Sequence, residues 1–139
     1  MDISETIKKY TLNALEHFGD KASLEFFQRL KNREFSAPKC RHCDKFIFPP
    51  RRFCPRCFNE DIFWTNLPEK GILYAFTQQE RAIRFSKPDV IGIVDLNGVG
   101  MILTKIDAPI DSLRIGMTVQ VGFIEIENGM FLHQFSPVK

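Results

Sequence analysis

The sequence predicts a mainly β protein in three modules: N-terminal helices, then a metal-held ribbon, then a five-stranded barrel. Two observations carry this. All four cysteines sit in two CxxC pairs, Cys40-Arg-His-Cys43 and Cys54-Pro-Arg-Cys57, ten residues apart. Beyond Gly71 the chain turns into β-rich runs separated by Gly- and Asn-containing turns.

Residues 1–35 read as helical. Ile3, Ile7, Tyr10, Ala14 and Phe18 recur at helical spacing, with Asp2 or Ser4 able to cap the start and Gly19 the end. Asp20 can cap a second helix running to about Asn32. Its stripe is Leu24, Phe27 and Leu30, widened by Phe26. These stripes either pack on the chain's own body or form a docking surface for another subunit, with Leu24, Phe26, Phe27 and Leu30 as the docking residues.

Residues 36–67 form the metal module, led in by the extended segment from Arg33 to Pro38. Each CxxC places two sulfurs on one tight turn, and two facing turns close a tetrahedron. Cys40, Cys43, Cys54 and Cys57 are therefore the expected ligands of one structural ion. Zinc is expected, and an iron site could use the same four thiolates. With four sulfurs the coordination shell is full, so no position remains for water or substrate. His42, inside the first knuckle, reads as a solvent-facing loop residue. Phe46–Phe48 is expected as a short strand stopped by Pro49-Pro50, and Ile62–Trp64 as another. The cations Lys39, Arg41, Lys45, Arg51, Arg52 and Arg56 surround the knuckles. They either offset the charge of a thiolate-bound ion or form an anion-binding face.

Residues 68–139 form the barrel module. Its first strand is Ile72–Thr77, with Ile72, Tyr74 and Phe76 on one face, read as packing inward. Asp89–Leu96 and Val99–Ile106 follow, joined at Asn97-Gly98 by an expected type I′ turn. A polar connection from Ala108 to Ile115, with room for one helical turn, leads to Thr118–Glu127. Asn128-Gly129 then turns the chain into Met130–Phe135. Five strands, with the longest connection between the third and fourth, match the Greek-key OB-fold.

This barrel lacks the field expected of a nucleic-acid reader. From Lys70 to Lys139 seven basic residues face seven acidic ones, and the whole chain carries +2. The local exception is the loop holding Arg81, Arg84 and Lys87, which could clamp phosphates such as those of coenzyme A. No catalytic constellation stands out. The thiols are committed to metal, His17, His42 and His133 lie in separate modules, and no phosphate-binding or dinucleotide motif occurs. The chain is expected not to be an enzyme by itself. No run of eighteen apolar residues occurs, and the N-terminus lacks a signal-peptide pattern, so neither a membrane span nor export is expected. Metal-spaced cysteines point to a reducing cytoplasm.

The order of modules resembles the acyl-CoA-associated proteins that join a rubredoxin-like zinc ribbon to an OB-fold. The resemblance covers roughly residues 22–135. It rests on Leu24–Leu30, the two CxxC pairs with Phe48-Pro-Pro50, the run Gly71–Thr77, and Ile115-Gly-Met-Thr-Val119. It implies a non-catalytic scaffold bridging a thiolase and a partner such as a hydroxymethylglutaryl-CoA synthase, with CoA or acyl-CoA as a candidate ligand. Two other readings stay open: an accessory subunit of an acyl-CoA hydratase-like enzyme, and a nucleic-acid-binding ribbon/OB module. One departure is notable. The family usually has glycine right after each CxxC, where this chain has Asp44 and Phe58. Phe tolerates a left-handed backbone poorly, so the second knuckle is expected to use a different turn or to carry strain.

Overall fold

The computed structural model describes residues 21–80, 89–127 and 129–138. The expected first helix, the loop with Arg81, Arg84 and Lys87, and Asn128 of the last turn lie outside the described residues. The chain divides into two compact units, Met1–Asn66 with Glu125–Phe131, and Leu67–Ile124 with Leu132–Lys139.

In the first unit, helix α1 (Lys21–Lys31) precedes a two-stranded antiparallel ribbon of β1 (Ser36–Cys40) and β2 (Ile62–Asn66). The helix buries Ala22, Phe26 and Leu30, a strict i, i+4 stripe. This corrects the expected face. Phe26 and Leu30 are 5% and 0% exposed, so both belong to the unit's own core and are not free for docking. Leu24 and Phe27 are only half-buried. Phe26 meets Phe48 edge-on at 5.8 Å, tying helix to ribbon.

The helix ends without glycine. Arg33 takes φ 61°, its N–H donates to the Leu30 carbonyl, and the Glu34 N–H donates to the Arg29 carbonyl. These are the two bonds of a Schellman cap, built here on a non-glycine residue.

The expected strand at Phe46–Phe48 shrinks to a single bridge, Lys39 opposite Phe46. Pro38 explains the limit. Its carbonyl accepts from the Ile47 N–H at 2.8 Å, but proline has no N–H to return.

The second unit is a closed barrel of β3 (Lys70–Gln79), β4 (Asp89–Leu96), β5 (Gly100–Ile106), β6 (Thr118–Glu127) and β7 (Met130–Pro137). The order around the barrel is β3-β4-β5-β7-β6, and β3 pairs with β6 to close it. The β5–β7 pair is parallel, Ile106 standing beside Phe135. This is the OB topology expected from the strand pattern. One 3₁₀ turn, Ile110–Ser112, occupies the long connection.

The interior is filled by Leu73, Val94, Leu96, Ile102, Ile106, Val119 and Phe135, all 2% exposed or less. On β3 the inward residues are Gly71 and Leu73, whereas Ile72 and Tyr74 are exposed. The expected inward face of this strand was thus inverted at its start. Gly71 is the reason. A Cβ there would lie 2.5 Å from Val94 and 2.8 Å from the Asp95 carbonyl, so this inward position excludes any side chain.

The Asn97-Gly98 turn also differs from expectation. The Val99 N–H donates to the Leu96 carbonyl, and Gly98 has φ 80° while Asn97 has no positive φ. A type I′ turn needs positive φ at both central residues, so this is a type II turn.

Candidate metal centre and its surroundings

The two knuckles are built alike. In the first, the Cys40 N–H donates to the Lys45 carbonyl at 3.0 Å and the Asp44 N–H to the Cys40 carbonyl at 2.9 Å. In the second, Cys54 donates to Asn59 at 3.0 Å and Phe58 to Cys54 at 2.8 Å. Each loop closes because the residue after the CxxC adopts a left-handed backbone: Asp44 at φ 55° and Phe58 at φ 59°. The second knuckle keeps the same turn as the first, and it carries the strain that Phe brings to that region.

The turns bring the four sulfurs together. All lie within 4.8 Å of one another, with Cys40 to Cys57 at 3.6 Å and Cys43 to Cys54 at 3.9 Å. A tetrahedron with metal–sulfur bonds of about 2.3 Å has edges of about 3.8 Å, so the spacing fits a four-thiolate ion. Cys40 and Cys54 are buried and pack with Ile47, Cys43 and Ile62; Cys57 is exposed. The four cysteines are placed for metal binding on a rubredoxin-like ribbon.

Backbone amides support the negative sulfurs. The Cys43 N–H lies 3.4 Å from the Cys40 Sγ. Without an ion the thiols share protons unevenly. Backbone N–H groups of Cys57 and Arg56 draw the Cys54 thiol down to about 7. Hydrogen bonding to the Cys57 sulfur, with burial, pushes Cys43 up to about 12. An ion must displace these protons, so its hold weakens as pH falls.

Three cations near the ribbon have carboxylate partners. Arg41 pairs with Asp61 at 3.1 Å and its guanidinium lies 4.6 Å from the Phe63 ring centre. Lys39 pairs with Asp44 at 3.4 Å and approaches Phe46. Arg29 pairs with Glu25 and Glu34 and lies 4.8 Å from the Trp64 ring centre, so Trp64 is covered by a cation. Arg51, Arg52 and Arg56 are exposed and make no ion pair among the described residues. Beside them Phe53 and Phe58 stack at 6.2 Å with rings 23° apart.

Sequence reasoning missed a part-buried polar pair in the barrel. The Thr104 hydroxyl lies 2.8 Å from His133 Nδ1, and burial lowers His133 to about 4. It also missed Asp89 and Lys105, a pair at 3.3 Å whose side chains are largely shielded. Neither carried a motif. Strand parity could have placed His133 beside Phe135 on the inward face, two residues apart.

No helix among the described residues is long and apolar enough to cross a membrane. Comparison with known proteins gives a consistent picture. The rubredoxin-like zinc ribbon domain of ChsH2 matches residues 27–62. The C-terminal OB-fold domain of ChsH2 matches residues 64–123. No curated protein matches the chain. Among solved structures, the chain is similar to one described as an Ltp2-ChsH2(DUF35) aldolase, at 23% identity and a TM-score of 0.75, covering 85% of this chain and 95% of that one. It is also similar to a protein of unknown function from the DUF35 family of Sulfolobus solfataricus, at 15% identity and a TM-score of 0.63, covering 99% and 98%. At these identities the structural likeness bears on the fold.

Proposed function

The chain belongs to the ChsH2 (DUF35) family, in which a rubredoxin-like zinc ribbon is joined to a C-terminal OB-fold, and from that premise we propose that it is a non-catalytic subunit of an acyl-CoA enzyme complex. In this reading it bridges a thiolase and a second enzyme such as a hydroxymethylglutaryl-CoA synthase. Cys40, Cys43, Cys54 and Cys57 hold a structural zinc ion. The ion does no chemistry on substrate. It fixes two turns in a ribbon whose own core is small, so that binding energy becomes folding energy.

The observation that carries the reading is the continuous match to both modules of one family, 27–62 and 64–123. The similar structure described as an aldolase of Ltp2 with ChsH2 supports a role beside a partner enzyme. So does the barrel surface. Ile72 and Tyr74 on β3, and Met101 and Leu103 on β5, are 44–68% exposed on the barrel's outer face. An apolar concavity of about 240 Å³, lined by Ala75, Ile91, Ile93 and Leu103 among others, opens there. Large exposed apolar residues grouped on one sheet face mark an interaction surface. On the helix, Leu24 and Phe27 remain as docking residues. Arg81, Arg84 and Lys87 are proposed to hold the phosphates of CoA.

The test is turnover. The purified chain alone is expected to leave acetoacetyl-CoA and acetyl-CoA unchanged, while its addition to a thiolase and a hydroxymethylglutaryl-CoA synthase of the same organism raises coupled flux. Turnover by the chain alone, or no effect on either enzyme, would count against the proposal.

A further inference from the structure

We propose that the tip of the second knuckle is a binding site for a single nucleotide, the phenyl rings taking the base and the arginines its phosphates. The site is Arg51, Arg52, Phe53, Arg56 and Phe58. It is independent of which enzyme the chain joins.

Three observations converge on this tip. The first is an expensive residue. Phe58 holds a left-handed backbone, φ 59°, where glycine is free of strain. It is also 73% exposed, so its side chain contributes little to any core. An outlier at such a position, with little packing return, points to a role at the surface.

The second is the platform. Phe58 stacks on Phe53 at 6.2 Å and 23°, and Phe53 is itself 36% exposed. One exposed ring accommodates one base, not a run of bases, and aromatic rings take bases of any identity.

The third is charge. Lys39, Arg41 and Arg29 are neutralised by carboxylates, whereas Arg51, Arg52 and Arg56 make no ion pair among the described residues. The Cys40 sulfur has its own backbone donor, the Cys43 N–H at 3.4 Å. Three unpaired guanidiniums within six residues suit a ligand with two or more phosphates, each held by forked N–H donors.

The experiment is calorimetric titration of the zinc-loaded full chain with ATP, inorganic pyrophosphate and the single strand (dA)12. The expected result is saturable 1:1 binding of ATP, weakening with salt. Phe58→Gly keeps the knuckle's backbone conformation and removes only the platform. It is expected to weaken nucleotide binding about fivefold or more while leaving pyrophosphate binding unchanged. Arg51→Gln with Arg56→Gln is expected to weaken all phosphate ligands. Pyrophosphate binding as tightly as ATP would overturn the stacking role. Affinity for (dA)12 that rises with strand length would overturn the single-nucleotide assignment. Nucleotide binding unaffected by either variant, or absent at millimolar concentration, would overturn the site. Each of these outcomes leaves the enzyme-partner proposal standing.

Discussion

Phe58 shows how a single side chain can be at odds with its backbone. Its left-handed conformation costs on the order of 1–2 kcal/mol relative to glycine. The exposed stack on Phe53 returns part of that. Phe58→Gly should therefore stabilise the zinc-loaded chain by about 0.5–1 kcal/mol, read as a raised thermal midpoint. Asp44→Gly should gain less, because Asp tolerates the conformation and pairs with Lys39 at 3.4 Å. His133 gives a pH signature. Its folded value is lowered to about 4 from an ordinary 6.5, because burial disfavours the charged ring. The neutral ring is thus the folded form. Its contribution is intact above pH 6.5 and is lost as pH falls from 6.5 towards 4, by about 3 kcal/mol at most. A His133 ring NMR signal that titrates near 4 would agree, and one that titrates at 6.5 would not.

The helix, the ribbon and the barrel differ in what holds them, and so in how they should fail. The ribbon's two strands are five residues each, with sulfurs supplying much of its core. Chelation, or Cys40→Ser, should unfold the ribbon while the barrel keeps its amide protection, as followed by hydrogen exchange. The barrel depends on packing. Gly71→Ala pushes a methyl into Val94 and the Asp95 carbonyl and should destabilise the chain by about 1–3 kcal/mol in urea unfolding. The same elements show what sequence could and could not reveal. The CxxC spacing and the five strand runs were legible because metal geometry and period-2 patterning are local. The helix's buried face was not. Phe26 and Phe27 both suit a core, and only the edge-on contact with Phe48 decides between them. The inverted start of β3 was hidden because Ile72 and Tyr74 look like core residues, while the inward position belongs to Gly71. The left-handed Phe58 could be posed as a question from the missing glycine, but the backbone had to answer it.

At the scale of the whole molecule, the chain presents surfaces and no assembled catalytic group among its described residues. The ribbon offers a charged, aromatic knuckle, and the barrel offers an apolar outer face. A coordinatively full metal site gives fold, not reaction. The accessory role proposed above fits that division. Replacing Leu103 and Met101 by Glu should leave the barrel folded, because both are more than half exposed, and should weaken partner binding tenfold or more if the outer face is used.

The most direct measurement is native mass spectrometry of the chain co-expressed with a thiolase and a hydroxymethylglutaryl-CoA synthase of the same organism. The account predicts that the 16.1 kDa chain is carried in a larger assembly with at least one of these enzymes, with one zinc ion per copy. A free chain beside fully active, separate enzymes would contradict it.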